Sequence, residues 1–383
     1  MSFGFSVRLA GIYATAYAMV GIQLPFFPLW LSAKGLEAGM IGLVLAVPQV
    51  VRVLAIPLAT RMADRSGALR EAILAACWAS VAGYLLVAFS SGAPAILLAF
   101  VLASLVYTPA MPLIETYALK GLAARGRAYG PVRLWGSVAF IAGTFVAGFA
   151  ADTIPARYLI WLIVAGAAVM ALSAVTLAPV DRAAAPAAQK FAPKTSLLRD
   201  RAFIAVLAAA GLIQASHAVY YGFSALAWRA EGYDGTAIAA LWALGVIAEI
   251  VLFALQGRLP SFVTPAVLLM LGAAGGAVRW TAMAFDPPAL MLPFLQLLHA
   301  ATFGATHLGA MMYLARNAPA GQGATAQGTF AIVLGLAMAA ASGLSGVLYA
   351  AFAGRSYAAM ALAAIAGGVC ALVAQRSARV AAD

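Results

Sequence analysis

Apolar stretches long enough to cross a bilayer follow one another along almost the whole chain, and this limits what it can fold into. A transmembrane helix needs about 20 largely apolar residues, and the 383-residue sequence divides into roughly twelve such stretches with short connections. Hydrophobic residues make up 65% of the chain and charged residues only 9%, against about a quarter charged in soluble domains. A water-soluble fold is excluded. The expectation is an all-α membrane protein of twelve transmembrane helices. The first apolar run continues past Pro25 with no small-residue cleavage site before it, so it reads as a span rather than a leader. Cys77 and Cys370 both fall inside apolar runs. No disulfide framework, metal cluster or cofactor is expected.

The net charge of +11 would suit a nucleic-acid surface were it clustered, so its placement matters. Of the 23 Lys and Arg residues, Arg52, Arg133 and Arg279 fall inside apolar stretches, and Lys34, Arg157, Arg229 and Arg355 fall on the loops of one side. The other sixteen fall on the opposite side. Basic residues mark cytoplasmic loops, so both termini are expected in the cytoplasm of a bacterial cytoplasmic (inner) membrane. The excess faces lipid headgroups, and no nucleic-acid partner is expected.

The longest connection, rich in Ala, Pro and basic residues, predicts residues 1–178 as an N-terminal six-helix bundle, 179–201 as a cytoplasmic linker and 202–383 as a C-terminal six-helix bundle. Internal repetition agrees with this division. Gly35-Leu36-Glu37 matches Gly232-Tyr233-Asp234 at a shift of 197, and the same shift relates Ile41 to Ile238, Arg52 to Glu249 and Arg61 to Arg258. Two pseudo-symmetric halves of this kind place a site near the bilayer midplane.

Ionisable residues at bilayer depth are costly, so those that remain face water or one another. Besides the three arginines they are Glu115, Glu249, His217, His299 and His307. Glu115 precedes the Arg125 loop and Arg133 follows Arg127, which puts both about 8–9 Å into adjacent helices, where they can meet. Arg279 and His299 flank the Asp286-Pro287-Pro288 turn within reach of each other. His299, Phe303 and His307 recur at every fourth residue beside Thr302 and Thr306, forming one polar stripe. His217 and His307 read as structural, and Arg52 fits either role. Tyr17, Phe26, Tyr220 and Tyr221 could line a ring-binding surface, whereas Trp30 and Trp228, next to loops, read as interfacial anchors. Pro25, Pro28, Pro48, Pro109 and Pro112 are expected to bend their helices.

The segment from Thr60 to Arg70, TRMADRSGALR, resembles a degenerate signature loop of the major facilitator superfamily, with Thr60 where a glycine is usual. The resemblance makes Asp64, Arg65, Gly67 and Arg70 a conformational-switch loop. Tyr129-Gly-Pro-Val-Arg133-Leu-Trp135, the run Gln214 to Ser224, the run Leu241 to Glu249, and Gln296-Leu-Leu-His299 resemble the 3-phenylpropionate permease branch, over nearly the whole chain. That branch is similar to the lactose permease type of proton symporter. The resemblance implies the superfamily's fold, with Glu115 and Arg133 binding substrate and Glu249, Arg279 and His299 coupling protons. Thr302 stands where that type has its proton-carrying carboxylate, which passes the role to Glu249 or His299. Because spans 5 and 8 are neighbours in the superfamily, the resemblance also implies that Arg133 exchanges between Glu115 and Glu249.

The expected function is proton-coupled import of a small organic solute by alternating access. An aromatic carboxylate suits the arginines and rings, while a sugar or nucleoside would use the acids. The expected partners are the solute, protons and the lipid bilayer, with the protein acting as a monomer. Proton-antiport efflux shares the fold and would favour apolar cations. A membrane enzyme or sensor is disfavoured, because no His-Asp, Ser-Lys or Cys-His constellation sits where water and substrate would meet.

Overall fold

The computed structural model describes residues 4–179, 197–319 and 322–380. Among these residues all regular structure is helical, and 11 helical stretches are long and apolar enough to cross a membrane. In the first part of the chain the helices are α1 (Phe5–Ala33), α2 (Ala38–Ser66), α3 (Leu69–Phe89), α4 (Ala93–Tyr107), α5 (Ala110–Ala123), α6 (Gly130–Thr153) and α7 (Ile160–Val175). They are followed by α8 (Arg201–Ala215), α9 (Ala218–Ala230), α10 (Gly235–Leu255), α11 (Pro265–Ala284), α12 (Leu292–Leu297), α13 (Thr306–Asn317), α14 (Gly323–Phe352) and α15 (Tyr357–Val380). The last apolar stretch, Thr325–Ser377, is 53 residues long and contains α14 and α15 with a 3-10 turn, Ala353–Ser356, between them.

Three interruptions matter for the sites. Between α4 and α5, Pro109 has no N–H to donate, and the Thr108 hydroxyl donates to the Ser104 carbonyl at 2.8 Å. Pro25, Pro28 and Pro48, by contrast, lie inside continuous helices, so of the chain's predicted kinks Pro109 is the one that coincides with a break. Between α8 and α9, Ser216 donates to the Ile213 carbonyl at 2.6 Å and His217 Nδ1 lies 3.0 Å from the Gln214 carbonyl, so side chains compete with the helix for its own acceptors. Between α12 and α13, Ala300–Ala305 form a π-helical turn directly after His299.

The helices gather into two compact units. One is built on α1–α7 and takes in 222–242; the other is built on α8, α11–α15 and the remainder of α9 and α10. In the first, α1 packs on α6 and α7, and α3 on α4 and α7. In the second, α8 packs on α14 and α15, and α11 on α13 and α15. Small residues permit the approach, as is usual in lipid, where close van der Waals packing replaces hydrophobic burial. A Cβ added at Gly143 would strike the backbone of Ala18, and one at Gly276 would lie 2.7 Å from the Ala364 Cβ. The outward faces carry Leu54, Phe89, Leu362 and many similar side chains, which suit hydrocarbon.

The residues of the repeat share hydrogen bonds as well as sequence register. Gly35 and Gly232 both adopt left-handed φ, +82° and +93°, that side chains resist. Leu36 N donates to Leu31 O at 3.1 Å and Tyr233 N to Trp228 O at 2.9 Å, closing the preceding helix in the same way at positions 197 apart. Most of the linker expected at 179–201 lies outside the described residues; at its end, the Asp200 carboxylate caps α8 by accepting from Ala202 N at 2.8 Å.

Candidate solute and proton sites

In the first unit, Glu115 on α5 and Arg133 at the start of α6 are both half-buried. They do not form an ion pair. Glu115 accepts hydrogen bonds from the phenols of Tyr13, at 3.2 Å, and Tyr129. Arg133 Nη2 donates to the Tyr17 hydroxyl at 2.6 Å, and its guanidinium lies 4.0 Å from the centre of the Tyr17 ring. Tyr13 stacks on Tyr17 and meets Tyr129 edge-on. Tyrosines thus intervene between the acid and the arginine, and Gly136 leaves room for the Tyr17 ring. Phe26, predicted for the same surface, is 1% exposed and lies in the packed interior.

In the second unit the predicted residues converge. Arg279 on α11 is fully buried, with Nη2 donating to Gln296 Oε1 at 2.6 Å and Nη1 lying 3.4 Å from both His299 Nδ1 and Thr302 Oγ1. Its guanidinium also lies over the rings of Tyr220, at 4.7 Å, and Trp280, at 4.5 Å, and Tyr220 meets Tyr221. His299 Nε2 is 3.6 Å from Glu249 Oε2. His217 Nε2 is 3.0 Å from Thr302 Oγ1.

The chemistry of the donors gives this network a direction. A guanidinium only donates, so His299 Nδ1 accepts from Arg279 and Nε2 carries the proton facing Glu249. A carbonyl only accepts, so His217 holds its proton on Nδ1 toward Gln214, and its Nε2 accepts from the Thr302 hydroxyl. Thr302 in turn accepts from Arg279. Arg279 Nε and Gln296 Nε2, both buried, have no acceptor among the described residues.

Behind this cluster, the rings of His299, Phe303 and His307 form a stacked column with centroids 5.2 and 6.4 Å apart, so the predicted stripe is continuous through the π turn. The interfacial role expected of Trp30 and Trp228 is corrected. Both are buried, and the Trp30 indole donates to the Arg157 carbonyl at 3.1 Å, because a tryptophan packed between helices must satisfy its N–H internally. In the loop, Asp64 and Arg65 are exposed, Asp64 lies 3.7 Å from Lys120, and Gly67 closes α2 with φ +66°. Arg70 donates to the carbonyls of Leu177, at 2.6 Å, and Val175, at 3.2 Å, at the end of α7.

Sequence reasoning missed Tyr13 and Tyr129 as partners of Glu115, and Gln296 as a partner of Arg279. Tyr129 stands four residues before Arg133 on the same helical approach, and Gln296 three before His299, so spacing along the helix could have raised both. His217 reaches Thr302 only because α8 breaks beside it, and hydropathy carries no trace of that break.

The MFS_1 like family model matches residues 6–359. A curated relative, the "Probable 3-phenylpropionic acid transporter" of Escherichia coli (strain K12), is 35% identical over 313 residues, covering 79% of this chain and 80% of its own. The "Maltose permease" of Geobacillus stearothermophilus is 27% identical over 313 residues, covering 80% and 78%. Among solved structures, the nucleoside transporter NupG aligns with a TM-score of 0.82 at 15% identity, covering 98% of this chain and 99% of its own. A peptide transporter POT in complex with sulfate aligns at 0.76 with 14% identity, covering 99% and 97%.

Proposed function

The chain belongs to the MFS_1 like family of transporters, and from that premise we propose that it imports a small organic acid together with protons. The reading takes the protein as a monomer of twelve crossings in two sets of six, with both termini in the cytoplasm of a bacterial inner membrane. The 53-residue Thr325–Ser377 stretch supports that number, since two crossings need about 40 residues.

One observation carries the choice of solute. Arg133, half-buried among aromatic rings, is bonded to a neutral phenol and to no carboxylate among the described residues, so its planar fork keeps donors for a bidentate partner. An aromatic monocarboxylate matches both halves of that environment. Its charge meets the guanidinium and its ring meets Tyr17. The relative named for 3-phenylpropionic acid supports the same class.

Proton coupling falls to Glu249. His299 already accepts from Arg279 at Nδ1, so protonating it there would set an N–H against a cation. Glu249, 3.6 Å from the other ring nitrogen, is the group left to take the proton. With the acid neutral and the solute bound, the loaded protein reorients by alternating access; release of both inside resets it.

Proteoliposomes holding the purified protein should accumulate labelled 3-phenylpropionate under an inwardly directed proton gradient and lose it on adding a protonophore. Uptake indifferent to the gradient would exclude symport, and export under it would favour antiport. A sugar or nucleoside remains the second reading, favoured by Glu115, which already accepts from two hydroxyls. Competition by maltose or a nucleoside, and none by aromatic acids, would select it.

A further inference from the structure

Arg52 takes no part in either cluster, yet it lies deep in α2. The nearest charges along that helix are Arg61, nine residues on, and Glu37, fifteen back, or about 13 and 22 Å at 1.5 Å per residue. A guanidinium so placed cannot snorkel to either end, and it persists only where water or a counter-charge reaches it.

The helix shows which of these applies. Leu43, Val50, Leu54, Leu58 and Met62 are the exposed large apolar residues of α2, and the first four form its lipid-facing stripe. At about 100° per residue, Arg52 lies roughly 120–180° round from those four and about 80° from Met62, and about 20° from the buried Ile41 and Ala63, so it is on the packed side of the helix with Gln49 near it. Arg52 is half-buried, so it is not sealed into packing.

Among the described residues, no ion pair supplies Arg52 with a counter-charge either. Among them it makes one hydrogen bond, from Nη1 to Gln49 Oε1 at 3.1 Å, which leaves four of its five N–H donors. Four acids of the first unit are engaged elsewhere, Glu115 with Tyr13 and Tyr129, Asp64 with Lys120, Glu71 with Arg70 and Asp152 with Arg229, and Glu37 is fifteen residues away along the chain. The position 197 residues on is Glu249, so the second half of the repeat also carries an ionisable group in this register.

We infer that Arg52 is a second charge-selecting residue of the transporter besides Arg133: its free guanidinium edge meets the carboxylate of the solute and adds to the preference for an organic anion over a neutral molecule of the same shape. Gln49 orients the fork. The inference rests on the reading of the solute as an organic acid and adds to it a residue that neither the family resemblance nor the Arg133 cluster supplies.

The test is calorimetric binding of 3-phenylpropionate and of its neutral amide, 3-phenylpropanamide, to the purified full-length protein. The wild type is expected to bind the acid on the order of 10- to 100-fold more tightly, the size of a charge-assisted hydrogen-bonded contact. Arg52→Gln should cut that preference by about three- to tenfold, leaving the part owed to Arg133, while amide affinity stays unchanged, which also reports a folded site. Arg52→Lys, keeping the charge and losing the fork, should fall between them. If Arg52→Gln keeps the full preference while Arg133→Gln abolishes it, the inference is overturned and the organic-acid reading stands. If the wild type itself does not distinguish acid from amide, that reading fails and takes the inference with it.

Discussion

Arg133 and Glu115, expected to meet, are each partnered by tyrosine rather than by the other. This changes what the arginine can do, since a guanidinium on a phenol exchanges partners at lower cost than one in a desolvated ion pair. Arg133→Lys keeps the charge and loses the fork, and is expected to raise the KM for an aromatic acid about tenfold, equivalent to roughly 1.4 kcal/mol, with a smaller effect on maximal rate. Initial-rate uptake over a range of concentrations separates the two; an unchanged KM would remove Arg133 from the solute site. The ionisable residues were legible in the sequence because lipid forbids them elsewhere. Tyr13 and Tyr129 were not, because tyrosine is at home in many membrane environments and its partner depends on a neighbouring helix. Thr302 was legible as a departure from the family pattern, but its role as the hydroxyl between Arg279 and His217 needed the break beside His217.

The helices were legible from hydropathy, and the interruptions that place the sites were legible only where proline announces them. The α4–α5 break has Pro109, whereas the α8–α9 break rests on Ser216 and His217 bonding back to carbonyls, and the π turn has no composition signal. A further element-scale feature was invisible in sequence. At the end of α6, Asp152 accepts from Arg229 Nη1 at 2.7 Å, from Gly235 N at 2.6 Å, and from both the backbone N–H, at 3.1 Å, and hydroxyl, at 3.2 Å, of Thr236. It therefore caps α10 from another helix, favoured by the positive end of the α10 dipole. Gly148, one turn earlier, lets the backbone of Gly235 approach, and any Cβ there would collide with it. Asp152→Ala should lower stability by about 1–3 kcal/mol, because it strips the cap and leaves Arg229 only its bond to the Ala151 carbonyl, and Asp152→Asn should lose less. A thermal midpoint in detergent measures both; equal midpoints for all three proteins would mean that the cap contributes nothing.

At the scale of the whole molecule, the order of apolar stretches carried the all-helical class, with 11 helical stretches long and apolar enough to cross a membrane among the described residues, and the basic loops carried an expected orientation. A green fluorescent protein fused after residue 383 should fluoresce, since it folds in the bacterial cytoplasm and not after export through the general secretory route; a dark fusion with an active periplasmic phosphatase at the same point would reverse the topology. The central claim is that solute movement is tied to a proton taken up by one intramembrane acid, Glu249, held against His299. Glu249→Gln tests it most directly, assayed in proteoliposomes for both accumulation under a proton gradient and one-for-one exchange of labelled solute at equal pH. The account predicts that accumulation is abolished while exchange persists, because an amide resembles the permanently protonated acid. Accumulation at the wild-type level in Glu249→Gln would contradict it.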